Sequence, residues 1–193
     1  MNDKYKLGEE ARAHWAKDTN RPTMFLNDYN LLCNNVFVKY ADLVLDERDK
    51  PQTAVKAIPD DETLWKEDSE IIYLFVEDGM IMKIGGTRNS MKERWGSYLC
   101  GFHVAERNRS GKCSVTNAHV YHTIEKNLLD GHLWEIWCWK LPRLEQTVNI
   151  LGKDVTIIAQ TYHAYETVCI EKFKEHVNTI PVLCMNSDPA YKK

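Results

Sequence analysis

The segment Ile71–Thr87, IIYLFVEDGMIMKIGGT, decides which fold the rest of the chain can join. Two runs of β-branched and other large apolar residues flank an Asp-Gly pair, a pattern typical of a β-hairpin. A three-residue loop at Glu77–Gly79 suits a type I turn with glycine in the left-handed conformation, and it pairs Tyr73 with Lys83. A two-residue loop instead pairs Lys83 with Leu74 and turns Tyr73 to the other face. We adopt the first register, which predicts a phenol beside an ammonium on one face; a half-buried tyrosine beside a snorkelling lysine is the ordinary alternative.

The residues after this hairpin predict helices, a strand and a second hairpin. Ser90 precedes a helix from about Met91, with Glu93 three residues further on as in a capping box. The remaining elements are a helix over Asn117–Leu129, a strand in LWEIWCWKL before Pro142, a hairpin in VNILGKDVTII turning at Gly152-Lys153, and a helix over Tyr162–Val177. This order predicts an α+β fold with a small, mainly antiparallel β-sheet flanked by helices.

The residues before the hairpin have a different character. Apolar residues between Phe25 and Tyr40 recur at helical spacing. Pro51 and Pro59 then interrupt an acidic, polar stretch, DERDKPQTAVKAIPDDE. We therefore predict an N-terminal helical lobe with an acidic connection over residues 1–66, and the main domain over residues 67–193.

Composition and charge bound the possible functions. The chain has 193 residues and a formal net charge of -3, which gives no overall preference for a polyanion. The charge is uneven, because residues 42–78 carry twelve acidic and four basic side chains, whereas residues 83–112 carry seven basic and two acidic ones. The basic part could contact nucleic acid, or both parts could be ordinary solvated faces.

Membrane and secretory functions are not favoured. The N-terminus, MNDKYKLGEE, lacks an apolar leader, and no stretch reaches the length of a membrane span. Six cysteines without a CxxC pair favour reduced thiols over a disulfide framework. We therefore expect a cytoplasmic protein that does not associate with membranes.

The last predicted helix carries a charge where an apolar residue is expected. At helical spacing, Glu166 falls in the middle of a stripe that includes Tyr162, Cys169 and Phe173. A carboxylate on a buried face is costly unless it is paired or binds a metal. Periodicity alone leaves a structural ion pair with an arginine and a functional role equally open.

A known nuclease signature has the same order and spacing as Tyr73 in IIY, Lys83 in KIG and Arg94 in KERWGSYL, followed by Glu166 on the distant helix. The chain resembles the GIY-YIG nuclease superfamily. With lysine in place of the second-motif tyrosine, it resembles the small type II restriction endonuclease branch. The resemblance spans roughly residues 70–186, through GKCSVTN, LGK and YETVCIEKF. It implies a GIY-YIG nuclease core with an N-terminal helical extension.

The resemblance also implies a role for each matching residue. Tyr73 would contact or deprotonate the attacking water, and Lys83 would lower the pKa of this phenol and stabilise phosphate charge. Arg94 would hold the scissile phosphate, and Tyr98 takes a position where many members carry histidine. Glu166 would bind a magnesium or manganese ion.

The implied activity is metal-dependent hydrolysis of double-stranded DNA at a specific sequence by a homodimer, as in a restriction system. Two alternatives remain open. One is a homing, repair or RNA-directed nuclease with the same core, and the other is a DNA-binding protein that keeps only the fold. The residues implied to contact DNA are Arg88, Lys92, Arg107, Arg109, Lys112, Ser114 and Asn117.

Some positions depart from the family pattern. IIY lacks the leading glycine, and Gly86 stands where close relatives can carry a hydrogen-bonding side chain. Whether His103 substitutes for that side chain is open. A zinc site among the cysteines and histidines of residues 100–122 is a weaker alternative, because their spacing fits no standard finger.

Overall fold

The structure, a computed structural model, describes residues 21–48, 54–105 and 114–187. The helices are α1 (Leu26–Leu32), α2 (Glu62–Lys66), α3 (Met91–Tyr98), α4 (Cys100–Ala105), α5 (Val115–Leu129) and α6 (Tyr162–Val177), with a 3-10 turn at Met185–Ser187. The strands are β1 (Val38–Leu45), β2 (Val55–Pro59), β3 (Ile71–Glu77), β4 (Met80–Thr87), β5 (Trp134–Lys140), β6 (Glu145–Ile150) and β7 (Lys153–Ile158).

The strands form one large sheet and one hairpin. Strands β1 to β5 lie in the order β2-β1-β5-β3-β4, and every neighbouring pair is antiparallel. Strands β6 and β7 form a separate two-stranded sheet. The predicted α+β fold, with a mainly antiparallel sheet flanked by helices, is confirmed. In this order β4 lies at one edge of the large sheet, and β3 has a strand on each side.

Strand β3 separates two hydrophobic clusters. All seven of its residues are buried, which accounts for its nearly continuous apolar run. On one face, Tyr73 and Phe75 pack with buried residues of α3 and α5. On the other face, Ile72 and Leu74 pack with α1 and α6. Whether a side chain of β3 or β4 points to one face or the other therefore decides which helical layer it meets.

The first hairpin forms where predicted, but its predicted register is wrong. The turn has two residues, Asp78 and Gly79, with φ of 48° and 80°. Both central residues therefore have the positive φ that a type I′ turn requires. Tyr73 lies opposite Gly85 instead of Lys83, which lies opposite Phe75. An irregularity between Phe75 and Val76 adds one residue to β4, so Lys83 still shares a face with Tyr73 as a diagonal neighbour.

The helix predicted from the spacing of apolar residues between Phe25 and Tyr40 is confirmed only as far as Leu32. The chain leaves α1 through Asn34 and Asn35, whose φ values of 59° and 56° are left-handed and stop the helix. The apolar residues that follow alternate along β1, and part of the predicted acidic connection forms β2. The described part of the N-terminal region thus contributes two strands to the large sheet, and the boundary predicted at residue 66 does not coincide with a break in that sheet. Residues 1–20 and 49–53 lie outside the described residues.

The later elements match their predictions closely. Ser90 caps α3, because its hydroxyl accepts a hydrogen bond from Glu93 N at 3.3 Å. Helix α6 has the predicted bounds, and α5 begins slightly before its predicted start. The turn between β6 and β7 falls at Leu151 and Gly152, one residue earlier than predicted.

Two broader expectations also meet the structure. Among the described residues, no helix is both long enough and apolar enough to cross a membrane. Cys33, Cys138, Cys169 and Cys184 are free thiols, as expected. Cys100 is disulfide-bonded, so the expectation of reduced thiols is wrong for this residue.

Candidate active site

Helix α3 brings an arginine to the buried tyrosine of β3. The Ser90 cap sets where the helix begins, and Arg94 follows one turn later. Tyr98 lies one turn beyond Arg94 and is on the same side of the helix. Both Tyr73 and Tyr98 are completely buried, with 0% exposure, whereas Arg94 is only partly buried. The arginine therefore reaches from the protein surface into the core.

These three side chains form a closed hydrogen-bonded cluster, which we name the Arg–Tyr cluster. Arg94 Nε donates to the Tyr73 hydroxyl at 2.8 Å, and its Nη2 donates to the Tyr98 hydroxyl at 2.9 Å. The two hydroxyl oxygens lie 2.7 Å apart, so one phenol donates to the other. The guanidinium carbon also lies 4.7 Å from the Tyr98 ring centroid, within the range of a cation–π contact.

The Arg–Tyr cluster has more hydrogen-bond donors than acceptors. Two phenols supply two hydroxyl hydrogens, and only one is used between them. The other has no acceptor within the cluster. Arg94 donates further only to Ser97 Oγ, at 3.4 Å, and forms no ion pair with a carboxylate of the described residues. The cluster therefore offers the charge of the partly exposed Arg94 to an anion from outside, and it keeps one buried hydroxyl hydrogen without an acceptor among its own members.

Electrostatics keep both phenols protonated. Burial raises the pKa of Tyr73 well above its usual value, and the charges of Arg94 and Lys83 only partly offset this. Burial likewise raises the pKa of Tyr98, against the lowering effect of Arg94. For Arg94, burial lowers the pKa, but the two phenols raise it more, so the guanidinium stays charged. Lys83 thus acts on Tyr73 in the predicted direction, but its charge does not ionise the phenol.

Two adjacent glycines of β4 let the surrounding groups approach its backbone. A Cβ atom on Gly85 would lie 2.3 Å from the Tyr73 hydroxyl oxygen. A Cβ atom on Gly86 would lie 2.7 Å from Tyr162 Cδ2 and 3.0 Å from Glu166 Oε2. Tyr73 and Glu166 therefore approach the same short stretch of the edge strand from opposite faces of the sheet.

Glu166 is predicted on a buried helix face, with an ion pair to an arginine as one possibility, and the structure differs on both points. It is partly buried rather than fully buried. Among the described residues, its carboxylate forms no hydrogen bond or ion pair with Arg94 or Tyr73. The reason is that α6 packs on the face opposite to α3, so Glu166 meets the backbone of Gly86. The structure thereby gives no support to a structural ion pair with Arg94.

Glu166 is the residue at this site that could hold a metal ion. Within residues 21–48, 54–105 and 114–187, no three His, Cys, Asp or Glu side chains are grouped as a metal site. This gives no support to the zinc alternative. Magnesium, however, is commonly held by one or two carboxylates together with substrate phosphates and water. Glu166, with oxygen atoms beside the bare backbone of Gly86, fits such a site and would hold the ion.

Lys83 is held by the C-terminal part of the chain. Its ammonium donates to the carbonyl oxygen of Leu183 at 2.9 Å. A carbonyl is neutral, so the contact fixes the position of the ammonium without cancelling its charge. Lys83 lies close enough to Tyr73 to lower the pKa of that phenol.

The predicted DNA-contacting residues are only partly within the structure. Arg88 is exposed just before the Ser90 cap, and Lys92 is exposed in the first turn of α3, the helix that carries Arg94. Asn117 of α5 donates to the carbonyl oxygen of Ser97 at 3.2 Å, which places it near the Arg–Tyr cluster. Ser114 is exposed just before α5. Outside the described residues lie Arg107, Arg109 and Lys112, together with the side chain of His103.

Sequence reasoning missed some residues of this site. The KIG motif contains Gly85 but predicts no contact for it, although a glycine inside a strand commonly marks close approach of another group. The apolar period of the last helix predicts only a core position for Tyr162. Leu183 and Cys184 belong to an apolar run, PVLCM, for which the sequence pattern predicts no role. The apolar character of that run was the signal that could have found it.

Comparisons with known proteins agree with this fold. No protein-family model and no curated protein sequence matches the chain. The structure is similar to the restriction endonuclease HPY188I in complex with product DNA, with 24% identity and a TM-score of 0.51 over 83% of this chain and 86% of the other. The chain shares the fold of this structure. It is also similar to a mutant of bacteriophage T4 EndoII, with 17% identity and a TM-score of 0.50 over 78% of this chain and 95% of the other.

Proposed function

We propose that this protein is a metal-dependent endonuclease of the GIY-YIG type that hydrolyses phosphodiester bonds of double-stranded DNA. The observation that carries the proposal is the Arg–Tyr cluster. Its guanidinium is partly buried between two phenols and has no carboxylate partner among the described residues. A charge in such surroundings is costly unless an anion compensates it, and a phosphate of the substrate is an anion of suitable geometry.

The cluster would act on the scissile phosphate in two ways. Arg94 would donate to its oxygen atoms and stabilise the charge that develops as a water oxygen bonds to phosphorus and the phosphorus–oxygen bond to the leaving group breaks. The spare phenolic hydrogen would donate to the phosphate or to the attacking water. Because the pKa of Tyr73 is raised, this residue enters the reaction as a neutral phenol that orients its neighbours. A role as base would require the bound substrate and ion to lower that pKa.

The second part of the proposed site is the carboxylate on the other face of β4. Glu166 would hold a magnesium or manganese ion beside Gly86. Such an ion neutralises charge on the phosphate and lowers the pKa of bound water. The bare backbone of Gly85 and Gly86 would let the phosphate lie between the Arg–Tyr cluster and this carboxylate.

The substrate and assembly are proposed from the surface and from the neighbours. One neighbour is a restriction endonuclease in complex with product DNA. Arg88 and Lys92 give α3 a basic, exposed start beside Arg94, which suits contacts to a phosphate backbone. We propose that recognition is sequence-specific and that two chains act as a symmetric dimer on a palindrome, as in a restriction system. A cytoplasmic location accords with this role.

The test is a cleavage assay with mixed-sequence plasmid DNA in the presence of magnesium, followed by sequencing of the ends. We expect cleavage at one recurring sequence and none when the ion is chelated. Arg94→Lys should lose most of the activity, because an ammonium lacks the planar fork whose separate nitrogens reach the two phenols and a phosphate at once. Ends at random positions would favour a nonspecific nuclease, cleavage of RNA alone would favour the RNA-directed alternative, and binding without any cleavage would favour a protein that keeps only the fold.

A further inference from the structure

A short segment runs along the outer edge of β4. It comprises Pro181–Met185, and we name it the edge strap. Leu183 N donates to Met82 O at 2.9 Å. Leu183 packs in the cluster on the Tyr73 face, whereas Cys184 packs in the cluster on the opposite face. The segment itself turns at Val182 and Leu183, and Cys184 N donates to Pro181 O at 2.9 Å. The edge strap therefore covers the outer edge of β4 on the side where β4 has no strand partner.

Cys184 bonds directly to the backbone of β4. Its thiol accepts a hydrogen bond from Ile84 N at 3.2 Å and donates one to Ile84 O at 3.2 Å. An edge strand normally satisfies these groups with water or another strand, because unpaired buried peptide groups are costly. Cys184 is 2% exposed, so water does not take this place. One thiol thus satisfies both peptide groups of the residue between Lys83 and Gly85.

The edge strap also holds the side chain of Lys83. Leu183 O accepts the hydrogen bond from the ammonium, and Leu183 is 3% exposed. In addition, burial raises the pKa of the Cys184 thiol, while Lys83 lowers it and Glu166 raises it. The thiol therefore lies within electrostatic range of both proposed catalytic side chains, one from each face of β4.

We infer that the edge strap is a positioning element of the active site, in which Cys184 and the Leu183 carbonyl hold β4 and Lys83 between Tyr73 and Glu166. This inference rests on the proposed function. Contacts from Leu183 and Cys184 converge on three consecutive residues of β4, from Met82 to Ile84. The two glycines that follow Ile84 have no side chains of their own to pack, so the contacts at Ile84 set where their backbone lies.

The first experiment removes the thiol. Cys184→Ala deletes both hydrogen bonds to Ile84, and Cys184→Ser keeps a group that can donate and accept. Val55→Ala, a small truncation of a fully buried residue on the opposite edge strand β2, is the control for general loss of packing. We measure kcat at saturating DNA, the Kd for DNA with calcium in place of magnesium, and Tm. Because a displacement of about 1 Å commonly costs about a hundredfold in rate, we expect Cys184→Ala to lower kcat by at least about tenfold.

The other readouts separate positioning from stability. The Kd of Cys184→Ala should stay near that of the wild type, and Cys184→Ser should recover part of kcat. Val55→Ala should lower Tm with kcat unchanged. In a double-mutant cycle, the losses caused by Cys184→Ala and Lys83→Met should be less than additive, because Ile84 adjoins Lys83 and the loss of the thiol displaces the same ammonium that Lys83→Met removes. Wild-type kcat in folded Cys184→Ala, or full additivity with Lys83→Met, would overturn the inference.

A last measurement does not depend on cleavage. Hydrogen exchange of the peptide covering β4 reports the Ile84 amide, whose acceptor is the Cys184 sulfur. Exchange should accelerate in Cys184→Ala and return towards the wild-type rate in Cys184→Ser. Unchanged exchange overturns the edge strap as a support of β4, whatever the activity. If the Ile84 amide exchanges as expected in the wild type and the two variants, but the wild-type protein cuts no DNA, the proposed function is overturned and the contact between the edge strap and β4 is still supported.

Discussion

Replacing Gly85 by alanine tests whether the close approach of Tyr73 to β4 matters for catalysis. The added methyl carbon would lie 2.3 Å from the Tyr73 hydroxyl oxygen and 2.4 Å from the ring carbon that bears it. Favourable contacts between such atoms are about 3.5–4.0 Å, so the ring or the strand must move by about 1 Å or more. Tyr73 is completely buried and bonded to Arg94, so it cannot swing into solvent.

The magnitude follows from this displacement. Overpacking of a core typically costs about 1–3 kcal/mol, which lowers Tm of a chain of this size by roughly 2–12 °C. The stronger effect should be on activity, because moving Tyr73 also breaks the bonds that hold Arg94. A misplacement of this size commonly costs about a hundredfold in rate. We therefore expect Gly85→Ala to fold and to cut DNA at about one hundredth of the wild-type rate.

Other glycines of the chain provide matched comparisons. Gly96 lies in α3 with nothing within 4 Å of an added Cβ, so Gly96→Ala should stabilise the protein slightly, by up to about 1 kcal/mol, with unchanged cleavage. Gly86→Ala presses on Tyr162 and Glu166 instead of Tyr73, so it should raise the magnesium concentration needed for half-maximal cleavage. Tm by circular dichroism and single-turnover rates over a magnesium series give both quantities. The reasoning would be refuted if Gly85→Ala cut DNA at the wild-type rate and had the same melting temperature as Gly96→Ala.

The remaining predictions concern charge and protonation. Glu166→Gln should abolish magnesium-dependent cleavage while the Kd for DNA in calcium stays near the wild-type value; unchanged cutting would remove the metal role. Since the pKa of Tyr73 and of Tyr98 is raised from 10.0, the folded chain keeps phenolic protons that the unfolded chain releases above that pH, so the free energy of unfolding should fall as pH rises past 10.0. Urea unfolding from about pH 9 to about pH 11 should show this decline flattened in Tyr73→Phe, and an equal decline would contradict the pKa shift.

The sequence predicts the elements near the site well because their determinants are local. The Asp-Gly turn, the Ser90 cap and the apolar period of α6 all act within a few residues. The register of the first hairpin depends on a bulge in β4, which has no local sequence marker. The observed register therefore differs from the predicted one, and Tyr73 lies opposite Gly85 instead of Lys83. Strands β1 and β2 could not be predicted, because their pairing with distant strands overrides the helical spacing of the apolar residues before them.

In the candidate site, too, the features set by neighbouring residues could be predicted and those set by distant packing could not. Tyr73, Arg94 and Tyr98 could be placed together because they lie within one hairpin and the next helix. The position of Glu166 could be predicted as unusual, but not the face of the sheet from which it approaches. The protonation state of Tyr73 depends on its complete burial, which follows from packing on both sides of β3 and not from the neighbouring Lys83 alone.

The contact between Lys83 and Leu183 joins residues that are 100 positions apart in the chain. During synthesis, β4 leaves the ribosome long before the residues that cover its outer edge. Until residues 181–185 have emerged, that edge has unpaired peptide groups, and such edges invite pairing with other chains. A partly made chain would therefore hold the Arg–Tyr cluster while its lysine is still unanchored, so the proposed activity would arrive only after residues 181–185 have emerged.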